Sequence, residues 1–315
     1  MPVTLSSAPS SVDYVPSVYS SLAETIFQKT LAGSVSCTGV GVHSGQQATL
    51  TLCPAEINSG YIFIRTDIQG YHNKIWGRFD NVVDTQMCTK VANQEGISVA
   101  TVEHVLAALA GAHITNAVIK VDGPEVPIMD GSAAVFSEMI EQIGTVTQEK
   151  GVPTLEILEP VRVTAGSAYA EFVPSQGRFI TLSFDGHGRL KDLVDQGCLT
   201  FDWDQDHFGD LLSEARTFGF YEDAQKLWSL GLAKGASLEN TVVIQDNAIM
   251  NPEGLRFRDE LVRHKVLDAL GDLALAGVRI QGHFRGMNSG HTLNNQLLRT
   301  LFQKPNAWRY KDEFV

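Results

Sequence analysis

The stretch Arg263 to Leu273, RHKVLDALGDL, holds residue types at a spacing from which a metal site could be built. At about 100° per helical residue, His264, Asp268 and Asp272 form one polar stripe with Lys265 at its edge, and Val266, Leu267, Leu270 and Leu273 fall opposite. An imidazole and a carboxylate four positions apart can converge on one cation, and a mixed nitrogen and oxygen donor set suits zinc better than calcium or magnesium. Two ligands do not complete a site. A third must come from elsewhere, and the best candidates are Glu103 and His104 in SVATVEHVLAALAG. The competing reading is a solvated helix face, which such a charge pattern commonly marks.

These groups need elements to hold them. A helix is expected from about Val99 to Ala110, capped by Ser98 and stopped by Gly111, with Val102, Val105, Leu106 and Leu109 as its buried stripe. His104 then points the other way beside the small Ala107 and Ala108, which leave room for a metal and a substrate. ITNAVIKV reads as a strand, and DGPEVPIMDGSAAVF as a rigid turn leading into a helix at about Ala133 to Ile143. Glu125 and Asp130 in that turn are read as structural, bonding backbone amides. His291, in GMNSGHTLNNQLL, lies in a glycine-flanked loop before a helix, so backbone rather than packing should position it, free to exchange protons. His43, in a glycine-rich turn, is read as solvent-facing and stays outside the metal set.

Residues 1–25 are rich in Ser, Pro and Val without a period and read as a flexible extension. A first α+β domain is expected over 26–147, with strands in the glycine-broken run from Gln28 and at Tyr61 to Asp67. Thr145 to Pro153 lacks a hydrophobic period and marks the expected boundary. A second α+β domain over 153–303 restarts the strand-then-helix order with LEILEPVRVTAG, AYAEFVP and RFITLSFDG, and 304–315 form a tail. HVLAAL at His104 and HKVLDAL at His264 look alike, and each precedes a strand, NAVIKV or VRIQGHF. Two similar halves packed through these helices would bring both histidines to one inter-domain seam, a common place for an active site.

Composition narrows the classes. With 315 residues, 43% hydrophobic and 19% charged, the chain reads as a globular protein of about two domains. A formal charge of -12 opposes a nucleic-acid partner, so any phosphate must be met by a few local cations. The four cysteines, Cys37, Cys53, Cys88 and Cys198, form no CxxC pair, which argues against a cysteine-ligated zinc or a disulfide scaffold. No signal segment or long apolar run is evident, so a cytoplasmic protein without a membrane span is expected. Peripheral contact with a bilayer through a lipid-bearing substrate stays open.

With these residues assembled, the chain resembles the zinc-dependent UDP-3-O-acyl-N-acetylglucosamine deacetylases of lipid A biosynthesis. The resemblance rests on TGVGVHSG, TVEHVLAALAG, PEVPIMDGSAA, ARTFGF, VRHKVLDALGDL and SGHTLNNQLL, in the family's order, and runs from about Gln28 to about Phe302. It implies a cytoplasmic, monomeric Gram-negative enzyme, a two-domain sandwich of similar α+β halves with the active site between them. Its substrate would be a UDP-linked acylated amino sugar, from whose 2-acetamido group it releases acetate. Carried onto matching positions, the Zn2+ ligands would be His104, His264 and Asp268, and Glu103 the general base on the attacking water. His291 would be the cationic acid that protonates the leaving amine, with Asp272 holding its charge. Thr217 would bond the oxyanion, Lys265 would meet the diphosphate or sugar side of the substrate, and Phe218 would line the sugar pocket. Cys88 matches a family position near the active site and is given no catalytic role. The chain departs from the family in its long N-terminal extension and in FDGHGRLKDLVDQGCLTFDWDQDHF, where the strands that help form the acyl-chain passage look divergent.

Overall fold

The computed structural model of the chain describes residues 26–186, 190 and 197–311. The expected extension over 1–25, residues 187–189 and 191–196 of the divergent stretch, and 312–315 of the tail lie outside them.

Strict alternation makes the first sheet. In Gln47–Pro54 the even positions Leu50 and Leu52 are fully buried, while Thr49 and Thr51 face outward and bond Thr38 and Ser36 on the neighbouring strand. Five strands lie in the spatial order Val35–Val40, Gln47–Pro54, Ala117–Val121, Tyr61–Arg65 and Lys74–Trp76. Their successive pairings are antiparallel, antiparallel, parallel and antiparallel.

The second half repeats that scheme. Val161–Ala165, Ala168–Val173, Arg279–Met287, Arg178–Ser183 and Cys198–Asp202 are joined by the same four pairings in the same order. In each half a helix immediately precedes the central strand and another follows it. These are α1 (Glu103–Gly111) and α2 (Ala134–Ile143) in the first half. In the second they are α4 (Glu260–Ala274) and α5 (His291–Phe302), after the short α3 (Ala224–Ser229). The fold is thus α+β with two similar halves, as the repeated sequence order predicts.

The second sheet also carries Thr154–Ile157, parallel to the start of the central strand, and Trp308–Tyr310 beyond it, so part of the expected tail is an edge strand. Gly282 sits where the central strand changes neighbour, and a Cβ there would lie 2.6 Å from Ile157. The expected boundary segment is also ordered differently: Thr145–Gly151 is a strand paired antiparallel to Phe27–Leu31. Its mostly exposed residues explain the missing hydrophobic period, because neither face needs to be apolar.

The helix expected from Val99 begins four residues later. Ser98 does not cap it; Ser98–Val99 is a short strand, and Val102 holds the N-cap position without a side-chain bond. Between them Thr101 turns the chain with φ 58°, a strained conformation for a β-branched residue that costs about 1–3 kcal/mol. Its hydroxyl donates to Glu125 Oε1 at 2.9 Å, and the same buried carboxylate accepts the amides of His43 and Ser44, as its structural reading expects. Val105, Leu106 and Leu109 of α1 are fully buried, each contributing about 1.5–3 kcal/mol of hydrophobic stabilisation. One continuous apolar core joins both halves through α1 and α4.

Candidate active site

The two helices that precede the central strands cross at a glycine. A Cβ on Gly271 of α4 would lie 2.0 Å from the carbonyl oxygen of Glu103 on α1, so only glycine permits this backbone approach. The crossing brings the second residue of α1, His104, against the polar stripe of α4. That stripe is not wet, as the sequence suggested, but sealed: His104, His264, Asp268 and Asp272 are each under 5% exposed. An amphipathic period shows which face differs, not what covers it.

His104 and His264 meet with ring centroids 4.9 Å apart and planes at 89°. Asp268 Oδ1 lies 3.3 Å from His264 Nε2 and 3.6 Å from His104 Nε2. Donors about 2.0–2.1 Å from a tetrahedral centre stand roughly 3.3 Å apart, so these separations suit one ion. His264 Nδ1–H donates to the Ala215 carbonyl at 2.9 Å, which leaves Nε2 as the free lone pair. Among the described residues Asp268 Oδ1 is buried without a hydrogen-bond partner, which costs about 1–3 kcal/mol and which a bound cation would relieve. His104 Nδ1 is likewise without a partner among the described residues. Among the described residues, these three form the one cluster of side chains able to share a metal ion.

Charge supports the arrangement. Burial lowers the His264 pKa to about 4, so its imidazole is neutral at pH 7. Burial disfavours charge on Asp268, but His264 and Lys265 hold its carboxyl well below the usual carboxylate range. With the imidazole neutral, the Lys265 ammonium is the cation that Asp268 meets, at 2.8 Å from Oδ2. Lys265 thus faces a carboxylate of the candidate metal cluster, and its side chain is 14% exposed.

A second cluster abuts the first. His291 is the first residue of α5, not a loop residue, and its side chain is only 10% exposed. Its Nδ1 donates to Asp272 Oδ2 at 2.8 Å, and Asn294 Nδ2 donates to the same oxygen at 2.9 Å. Burial works against the imidazolium, but Asp272 and then Glu103 outweigh it and raise the His291 pKa to about 9. Its Nε2 lies 3.9 Å from Glu103 Oε1. Burial raises the Glu103 pKa, opposed chiefly by His291 and His104.

The segment carrying Thr217 and Phe218 is fixed by a buried ion pair. Arg216 Nε donates to Glu260 Oε1 at 2.8 Å, a second fork reaches Oε2 at 3.2 Å, and both residues are essentially sealed. This bond ties ARTFGF to the start of α4 and so sets the Ala215 carbonyl on His264. Thr217 is held by its backbone, bonded to Gly131 and Val242, and the Phe218 ring lies 6.1 Å from His264. Cys88 is buried near Glu103, and desolvation pushes its thiol up to about 12, which leaves it inert.

Sequence reasoning missed the groups that orient these side chains: Thr89, Asn294, the Ala215 carbonyl and the Arg216–Glu260 pair. Asn294 stands three residues after His291, a helical spacing that could have shown it; Thr89 carried no signal.

The family model described as UDP-3-O-acyl N-acetylglycosamine deacetylase matches residues 28–303. A UDP-3-O-acyl-N-acetylglucosamine deacetylase of Pasteurella multocida is 45% identical over 287 residues, covering 90% of this chain and 93% of that protein. Those of Shewanella loihica and Shewanella baltica are 43% and 44% identical over 284 residues, each covering 90% of this chain and 92% of the relative.

Proposed function

The chain belongs to the UDP-3-O-acyl N-acetylglycosamine deacetylase family, and from that premise we propose that it hydrolyses the 2-acetamido group of a UDP-3-O-acyl-N-acetylglucosamine. Water is consumed, the carbon–nitrogen bond breaks, and acetate and the free amine leave, a step of lipid A and hence lipopolysaccharide synthesis. The observation that carries this reading is that a buried His–His–Asp donor set adjoins Glu103 and His291, whose Oε1 and Nε2 lie 3.9 Å apart.

His104, His264 and Asp268 would hold the metal, and their imidazole and carboxylate donors favour zinc. When bound, zinc supplies Lewis-acid polarisation of the amide carbonyl and acidifies water. Glu103 Oε1 takes the proton of the attacking water. The Thr217 hydroxyl donates to the carbonyl oxygen as it gains negative charge. An amine leaves only when protonated, and His291, cationic below about pH 9, gives its Nε2 proton to the departing nitrogen while Asp272 retains its partner on Nδ1. Phe218 lines the sugar side, and Lys265 meets the sugar or diphosphate.

The two domains of this reading span about 26–147 and 153–303, in a monomer acting in the cytoplasm of a Gram-negative cell. No helix among the described residues is long and apolar enough to cross a membrane. Peripheral contact would come through the lipid-bearing substrate.

The test is acetate release from the UDP-sugar by the full chain, with metal analysis of the same preparation. Stoichiometric zinc with acetate release is expected; zinc without acetate would redirect the activity to another acylated substrate.

A further inference from the structure

Thr89 belongs to none of the motifs in the sequence. It lies between the exposed Met87 and the strand Lys90–Ala92, and it is 1% exposed. Three of its groups reach three points of the site. Its carbonyl accepts the N–H of Val102, the N-cap residue of α1, at 3.2 Å. Its N–H donates to Glu103 Oε2 at 3.0 Å. Its hydroxyl donates to Asp272 Oδ1 at 2.5 Å, on the other helix of the crossing.

Each bond removes a freedom. A carboxylate turns easily about its terminal torsion, which is broad and roughly two-fold, so one bonded oxygen does not fix its plane. Asp272 has both oxygens bonded, Oδ1 by Thr89 and Oδ2 by His291 and Asn294. With Glu103 Oε2 occupied by the Thr89 amide, Oε1 is the oxygen left facing His291 Nε2. The base comes from the first half and the carboxylate behind the acid from the second, and Thr89 touches both.

We propose that Thr89 is a positioning residue for the deacetylation. Its amide orients the base Glu103, and its hydroxyl orients Asp272 and through it the acid His291, so that both proton-transfer groups are set relative to each other by one residue. The proposal rests on the acid–base roles given above.

The test compares Thr89→Val with Thr89→Ser in the full-length, metal-loaded chain. Valine keeps the shape and the amide but loses the hydroxyl, whereas serine keeps the hydroxyl. The valine variant should lose about tenfold to a hundredfold in kcat, with KM and bound metal little changed, and serine should restore most of it. Thr89→Ala gives the same reading should the extra methyl of valine not be tolerated. A valine variant with wild-type kcat, or a serine variant as slow as valine, overturns the proposal.

A second reading needs no turnover. The low-field proton of the His291–Asp272 hydrogen bond, recognised by its absence in His291→Ala, should shift in the valine variant and stay in the serine variant. An unshifted proton overturns the Thr89 role; a wild-type protein that releases no acetate overturns the activity instead.

Discussion

Gly271→Ala tests whether the helix crossing makes the site. The new methyl would stand 2.0 Å from the Glu103 carbonyl oxygen, 2.8 Å from its carbonyl carbon and 3.1 Å from its Cα. All three are backbone atoms, so no rotamer change relieves the contact. Ordinary contact begins near 3.4 Å, so α1 and α4 must part by roughly 1.4 Å at this point. Alanine gains about 1 kcal/mol of helix propensity over glycine, whereas overpacking a filled core costs about 1–3 kcal/mol or more. A clash between two backbones falls at the upper end of that range, so the net loss is about 2 kcal/mol. That corresponds to a fall of roughly 3 °C in Tm. His104 follows Glu103 directly and would be carried away from His264 and Asp268. Sites of this kind tolerate only about 0.5 Å of displacement, so metal affinity should fall at least about tenfold. Thermal melts, metal retention against a chelator and acetate release read the three effects. A variant that melts within about 1 °C of wild type and keeps its metal would refute the reasoning.

Glu103→Gln keeps the size and the bond from the Thr89 amide but cannot take a proton; turnover should drop about a hundredfold or more while metal content stays, and near-native activity would remove Glu103 from the base role. Asp272→Asn removes the main cause of the raised His291 pKa, so the basic limb of kcat/KM should move from near pH 9 toward acid by about one unit or more, and an unmoved limb would detach Asp272 from His291. The same raised pKa contributes stability that is full below about pH 6.5 and lost as pH rises through about 9, so in urea melts the wild-type advantage over Asp272→Asn should shrink across that window. Arg216→Met leaves Glu260 buried without its partner and should cost about 3–5 kcal/mol in denaturant melts; a loss under about 1 kcal/mol would show the pair to be dispensable.

Much of the fold and of the candidate site was legible because it is periodic. The alternation in Gln47–Pro54 and the stripe of α4 each reveal an element and its distinct faces. The likeness of the two histidine segments, with a strand after each, foretold the repeated sheet order. What was not legible depends on long-range partners. Thr89 and Asp272 are 183 positions apart, and no local pattern joins them. The strand Thr145–Gly151 pairs through its backbone with little apolar burial, so it has no alternation to read. The start of α1 was misplaced because a strained Thr101 bonded to Glu125, rather than a capping serine, makes the turn. That His264, Asp268 and Asp272 are sealed rather than solvated follows only from what packs on them.

The repeated architecture also bears on how the protein matures. Each copy of the unit contributes one imidazole, and neither copy could grip a divalent ion tightly alone. On the ligand set proposed above, the earlier copy would leave the ribosome with an incomplete donor set, and ion capture would wait until the later copy has folded and docked. Loading would thereby be tied to completion of both copies, and a chain truncated ahead of α4 would lack two of the three proposed ligands.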